Sequence, residues 1–377
     1  MTAAGAVIKQ RFWFLAVFCC ILCAGELIAY VFYGRALWSH FTHTPFAAPY
    51  DLACFSLNTA AALHHTLPPA ASAAGSCPFM YPPPFFLLTA PLGWFSPLWA
   101  YLLWSLAGML ALALAARAAK LSWAAIGLGL VSPPALYCLQ AGQTGEIISA
   151  LLLLCLALAE TNPVIAGIAT GCLLVKPQFA LLLPVCFLAA GNWRAIIAAG
   201  LSTSVVALFS VWVFGAASWQ HFLADGVPVA HAVLERPWPV AYQGIMISVF
   251  MTLRSLGANL PLAYAVQFAA TLGAAVAAWY LWRPRTQVEP LMRLLLTLCL
   301  VPLATPYAYI YDIPGIALVL AAPVLRRRGQ YLVPLALFWL ITASYILIAM
   351  FSFLTGGVFL VLLVARLWPQ KEKAAAF

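Results

Sequence analysis

Long apolar runs follow one another along the chain, separated by short turns that hold most of the charge. Phe12 to Phe32, Trp94 to Ala116, Ala195 to Phe214 and Leu260 to Trp282 are each long enough to form a helix across the roughly 30 Å hydrocarbon layer of a bilayer. Other runs are shorter or interrupted. Ser122 to Leu139 is broken by Pro133-Pro134, Ile147 to Ala159 is short, and Ile245 to Leu256 reads as an interfacial or re-entrant helix. Val164 to Ala190 carries Lys176-Pro177-Gln178 at its middle. One continuous helix there would bury a lysine near the bilayer centre, at a cost of about 2.5–3.5 kcal/mol, and would place a proline in its interior. The pattern therefore predicts two short helices meeting at Lys176, with the bend in a water-filled cavity. Leu291 to Ala304 and Ile313 to Leu325 repeat this arrangement around a polar tip, Thr305-Pro306-Tyr307-Ala308-Tyr309-Ile310-Tyr311-Asp312. Tyr331 to Phe351 and Phe353 to Leu367 form a last hairpin.

Composition agrees with this pattern. Hydrophobic residues make up 65% of the chain and charged residues 7%, whereas about a quarter of a soluble domain is charged. A soluble domain is excluded, and residues 1–377 read as a single integral membrane domain, all-α and polytopic. The first run follows Lys9 and Arg11 but is too long for a signal-peptide core and lacks a small-residue cleavage site, so it reads as a retained helix.

Basic residues set the expected topology. Lys9 and Arg11, Arg117 and Lys120, Arg194, Arg283 and Arg285, Arg293, Arg326-Arg327-Arg328, and Arg366 with Lys371 and Lys373 fall at alternate turns, which the positive-inside rule places in the cytoplasm. Roughly 12 membrane segments result, several short or broken, with both termini cytoplasmic. The outer loops then run from about 33 to 85 and from 215 to 244, and Leu52 to Leu67 reads as an interfacial helix in the first of them. The net charge of +9 is spread over these turns and forms no basic tract with interleaved aromatics, which excludes a nucleic-acid partner. The ten cysteines show no zinc spacing, and the Cys-x-x-Cys formed by Cys20 and Cys23 lies inside the first apolar run; Cys54 and Cys77, in the first outer loop, are the pair that an oxidising compartment would join.

This topology carries Asp51, the turn from Gln140 to Glu146, Lys176, the loop from His231 to Tyr242 and the tip from Tyr307 to Asp312 to one side of the membrane. Only nine acidic residues exist in the chain, so carboxylates gathered there stand out. A cavity of this kind suits a phosphate ester arriving from lipid: Lys176, Arg236 and His231 would balance its charge, and tyrosines would bond to or stack on a sugar. Simpler readings stand beside these. Asp51 suits the cap of an interfacial helix, Lys176 a snorkelling side chain, and Asp312 an anchor for its own tip.

Asp51, Tyr81-Pro82-Pro83, Gly142-Gln143, Lys176-Pro177, and Pro306 followed by Tyr311-Asp312 occur in an order that resembles the GT-C polyprenyl-phosphate-dependent glycosyltransferases, in particular glycosyltransferase family 87, whose members include mycobacterial phosphatidylinositol mannoside mannosyltransferases. Gly145 departs from that family, which often has Asn after the Gly-Gln pair. The resemblance implies a GT-C-like helix bundle in a bacterial plasma membrane, with its active site facing the periplasm or cell exterior. It also implies a polyprenyl-phosphate sugar donor, a glycolipid or glycan acceptor, and Asp51 as general base. The sugar would be a hexose, mannose for preference, and transfer would invert the anomeric carbon. Tyr81, Gln140, Gln143, Glu146, Tyr242, Tyr307, Tyr309 and Asp312 are the candidate sugar and acceptor contacts. No cofactor is expected, and a monophosphate leaving group met by cationic side chains needs no metal. The alternative is a lipid-linked sugar flippase or secondary transporter, since short paired helices with polar tips also bind cargo. Such a protein would need a second polar set at the inner level, where the sequence has only basic turns.

Overall fold

A computed structural model of the chain describes residues 80–325, apart from 241, 242 and 287, together with Phe55, Thr59, Ala60 and residues 62–64. Asp51, Tyr242, Cys54, Cys77, the first apolar run and the final hairpin lie outside the described residues. Among the described residues the chain is helical and forms no strand.

Helix α1 (Pro84–Thr89) continues as a 3-10 turn, Ala90–Trp94. The sequence suggested a helix starting only at Trp94. Pro84 instead starts one earlier, because proline's fixed φ suits a first helical turn, and Phe85 and Phe86 pay for it by being fully buried. The next helix, α2 (Pro97–Ala118), is long, whereas α3 (Trp123–Leu130) and α4 (Pro133–Ala141) meet at a 51° bend where Pro133-Pro134 breaks the run. A short helix, α5 (Gly145–Ala157), follows.

The lysine-bearing run is a hairpin. Its arms are α6 (Pro163–Cys172) and α7 (Leu183–Ala189), joined by the 3-10 turns Leu173–Val175 and Pro177–Ala180, with Lys176 between them outside helical geometry at φ −147° and ψ 71°. Beyond it, α8 (Trp193–Phe214) packs against α6 closely enough that a methyl group on Gly171 would stand 1.8 Å from the Ser202 hydroxyl, and one on Gly167 2.5 Å from the Ala195 carbonyl. This is the small-residue contact that lets two apolar helices approach where no water drives them together.

Residues 215–244 were expected to be mainly a loop. They are largely helical: α9 (Ala216–His221), a π-helical turn (Phe222–Gly226) and α10 (Val227–Glu235) run on without a break, and the His221 Nδ1 lies 2.9 Å from an Asp225 carboxylate oxygen within this stretch. After α11 (Val249–Ser255) comes α12 (Leu260–Trp282), with the bounds read from the sequence. The second hairpin consists of α13 (Pro290–Leu303) and α14 (Pro314–Leu325) around the 3-10 turn Ile310–Asp312.

Three described helices, α2, α8 and α12, are long and apolar enough to cross a membrane, or four spans if α3 and α4 count as one. Their outer faces stay bare: Leu201, Leu208 and Trp212 of α8 are 64%, 68% and 79% exposed, which suits lipid and would be costly in water. The hairpin arms are shorter. With 14 residues in α13 and 12 in α14, they extend about 21 and 18 Å at ~1.5 Å per residue, less than a ~30 Å hydrocarbon layer.

The two hairpins point in the same sense, with α5 packed against α6, α13 and α14. At their bases Arg293 reaches Glu160 at 2.7 Å and covers the Trp282 ring at 4.6 Å, and the Asn192 side chain donates to the Ala159 carbonyl. At their tips Lys176 meets Asp312. The basic turns and the polar tips therefore lie at opposite ends of the two hairpins.

Candidate functional site

Lys176 precedes a proline, a position that disfavours helix, and the bend turns its side chain into the protein. Its ammonium lies 2.6 Å from the Asp312 Oδ1, and the two residues are 3% and 2% exposed. Asp312 closes the 3-10 turn of the second tip, where its Oδ2 accepts the Tyr309 N–H at 3.1 Å. Burial is the largest influence on this carboxyl and opposes its charge, while Lys176 and the Tyr309 N–H favour it. Breaking such a pair from one side strands the other charge, at about 3–5 kcal/mol. The rings of Tyr311, Tyr81 and Phe179 surround the ammonium at 5.0, 5.6 and 5.7 Å and attract it through their π faces.

Tyr81 stacks on Phe85 at 4.2 Å and meets the edge of Phe55 at 5.3 Å, so the start of α1 positions it. Its hydroxyl donates to the Gln143 Oε1 at 3.4 Å. Gln143 follows Gly142, whose φ of 66° ends α4 in the left-handed geometry that glycine adopts freely. The carbonyl of Gln143 accepts the Trp104 indole N–H at 3.1 Å. Gln140 is half-buried on the last turn of α4.

Gly145 faces the second tip directly: a methyl group there would stand 1.5 Å from the Tyr311 carbonyl oxygen. The position has no room for a side chain. Glu146 is buried beside Gly108, accepts the Cys138 S–H through Oε2, and has no described partner at Oε1.

The tip from Tyr307 to Asp312 is held from two further directions. Tyr309 pairs with Met246 in an antiparallel bridge, the Ile247 N–H donates to the Ala308 carbonyl at 2.8 Å, and the Tyr309, Tyr311 and Tyr137 rings stack in sequence. The Tyr307 hydroxyl lies 3.1 Å from the His231 Nδ1, and the Tyr264 hydroxyl donates to Glu235 at 2.7 Å. Burial and then the Glu235 charge push the Tyr307 hydroxyl up to about 12, so it stays neutral at physiological pH. The Arg236 side chain is exposed at the end of α10, and its carbonyl accepts from Gln243 at 2.8 Å and Arg254 at 3.4 Å.

Of the residues singled out from sequence, the structure brings Tyr81, Gln143, Lys176, Tyr309 and Asp312 into one cluster. It ties His231 to that cluster through Tyr307 and leaves Arg236 on the adjoining surface. Phe179, Tyr137, Tyr311, Trp104, Glu235 and Tyr264 complete the setting and were not selected. Tyr311 and Glu235 had a signal, the first from its place beside Asp312 in a tyrosine-rich tip and the second from its place in the polar loop from His231 to Tyr242. Among the described residues no three His, Cys, Asp or Glu side chains converge as a metal site.

Apolar helices with bare outer faces, and a buried ionic cluster where two short hairpins meet, define a helical membrane protein with a polar centre. Residues 79–306 match glycosyltransferase family 87, and the chain belongs to that family. It is therefore a glycosyltransferase, an enzyme with a sugar donor and an acceptor. No curated protein and no solved structure gives a significant match. The matched residues include Tyr81, Gln143, Lys176, His231 and Arg236 and stop just before Tyr307.

Proposed function

We propose that this enzyme moves a hexose, mannose for preference, from a polyprenyl-phosphate donor to a lipid or glycan acceptor at the outer face of a bacterial plasma membrane. Family membership supports the transfer reaction, and the observation that carries the donor class is the buried Lys176 among tyrosines at the meeting of two hairpin tips. A roughly 12-segment GT-C bundle with cytoplasmic termini provides the setting, and Asp51 is the general base. Its carboxylate takes the proton from the acceptor hydroxyl as that oxygen attacks the anomeric carbon, and the bond from that carbon to the phosphate oxygen breaks. The electron pair leaves with the polyprenyl phosphate, and a single displacement inverts the centre. Lys176, Arg236 and His231 meet the charge that grows on the phosphate, so no metal is needed. Tyr81, Gln140, Gln143, Glu146, Tyr242, Tyr307, Tyr309 and Asp312 form the sugar and acceptor side.

Product mass analysis tests the proposal. The purified protein in lipid would be incubated with a panel of polyprenyl-phosphate sugars and envelope lipid extracts, with and without EDTA. A glycosylated acceptor formed equally in both conditions is the expected result. Activity with nucleotide sugars alone, or activity abolished by EDTA and restored by a divalent metal, would overturn the donor or metal assignment respectively.

A further inference from the structure

Glu235 is a carboxylate that the proposed reaction leaves unused. It ends α10 one turn after His231, so the two side chains share a face of that helix, and both are exposed. Each is held by a tyrosine from a different part of the fold. The Tyr264 hydroxyl, from α12, donates to the Glu235 Oε1 at 2.7 Å, and the Tyr307 hydroxyl, from the second tip, lies 3.1 Å from the His231 Nδ1. The Phe250 ring packs against Tyr264 at 4.7 Å, which anchors that tyrosine to the apolar cluster below. The two pairs are neighbours, since the Glu235 charge reaches the Tyr307 hydroxyl. Among the described residues, the Glu235 Oε2 and the His231 Nε2 have no protein partner. An open edge results, where a charged oxygen, an imidazole and two hydroxyls are already held in place.

We propose that this edge is the subsite for a neutral sugar headgroup on the substrate that receives the transferred hexose, and that Glu235 is the specificity-determining residue that takes hydrogen bonds from its hydroxyls. This rests on the transfer reaction proposed above and adds the chemical class of the receiving substrate. Charge separates the two substrates. None of the described ion pairs includes Glu235, so its carboxylate repels a phosphate, whereas it binds hydroxyls more strongly than a neutral oxygen would. Position separates them as well. Tyr307 begins the tip that Asp312 ends, and Lys176 and Asp312 are buried while His231 and Glu235 are exposed, as suits a headgroup whose remainder stays outside the protein. His231, already assigned to phosphate, marks the side of the edge at which the two substrates meet. Tyr264 is a positioning residue that holds the Glu235 carboxylate in one orientation.

Two measurements on the full-length protein in lipid nanodiscs test this. The first is equilibrium binding of methyl α-mannoside, followed by saturation-transfer NMR. Glu235→Gln should raise the half-saturating concentration roughly tenfold or more, as loss of hydrogen bonds to a charged group implies. Tyr264→Phe, which keeps the charge but frees Oε1, should raise it roughly threefold. Inorganic phosphate should not displace the mannoside from the native protein. The second is steady-state transfer from the proposed donor to the envelope lipid extract. Both variants should raise the KM for the extract and leave the KM for the donor within about twofold. Their melting temperatures should match the native one, because the cluster is exposed, whereas a merely structural role would lower them and disturb both KM values. Mannoside binding that is absent in the native protein, unchanged in Glu235→Gln or displaced by phosphate would overturn the inference. If the native protein transfers sugar while mannoside binding ignores Glu235, this inference alone fails. If mannoside binding depends on Glu235 but no polyprenyl-phosphate sugar is cleaved, the donor class fails and the headgroup site stands.

Discussion

Gly145→Ala is the smallest change expected to open the centre. An added methyl group would stand 1.5 Å from the Tyr311 carbonyl oxygen and 2.7 Å from its carbon. Ordinary contact needs about 3.5 Å, so the peptide must retreat by roughly 2 Å. Tyr311 is joined directly to Asp312, and the retreat carries that carboxylate with it, stretching a contact that is now 2.6 Å. Loss of a buried pair costs about 3–5 kcal/mol, and the better helix propensity of alanine returns about 1. For a chain of 377 residues a net loss of about 2–4 kcal/mol translates into a melting temperature lower by roughly 3–5 °C. Thermal unfolding in nanodiscs, with transfer activity measured alongside, checks this. Gly273→Ala is the control, because a methyl group on Gly273 of α12 meets nothing within 4 Å. It should be neutral or slightly stabilising. A Gly145→Ala protein that melts and turns over like the native one would refute the close approach of α5 to the second tip.

Two other substitutions probe the scaffold. Gly171→Ala places a methyl group 1.8 Å from the Ser202 hydroxyl and 2.6 Å from the Thr203 backbone nitrogen, so it should push α6 from α8 and destabilise by about 1–3 kcal/mol in thermal unfolding. Arg293→Gln removes the pair with Glu160, whose side chain is 58% exposed, and unfolding should change by less than about 1 kcal/mol.

The parts of the fold that were legible in the sequence are those where a polar residue conflicts with an apolar run. Lys176-Pro177 within Val164 to Ala190, and the tyrosine-rich tip before Ile313, could not be continuous membrane helix, and both are bends. The limits of α12 were equally plain, since Asn259 and Pro261 begin it and Arg283 follows it. The helical run from Ala216 to Glu235 was not, because Pro228 and scattered polar residues obscure its periodicity and a π turn shifts its phase. Within the centre, residue types announced that charges would gather, but not that Lys176 would choose Asp312, 136 positions away. Nor did a lone Gly145 reveal itself as a contact surface. That property belongs to the carbonyl it faces and appears only once the hairpins are docked.

The most direct measurement is the release of free polyprenyl phosphate from a polyprenyl-phosphate hexose by the purified protein in lipid, comparing native and Asp51→Asn chains with and without acceptor lipid. One polyprenyl phosphate per glycosylated acceptor, formed by the native chain and reduced at least about a hundredfold in the variant, is the predicted result, general-base groups contributing roughly 10²–10⁴-fold. Passage of the intact sugar lipid across the bilayer without cleavage, or undiminished release by Asp51→Asn, would contradict it.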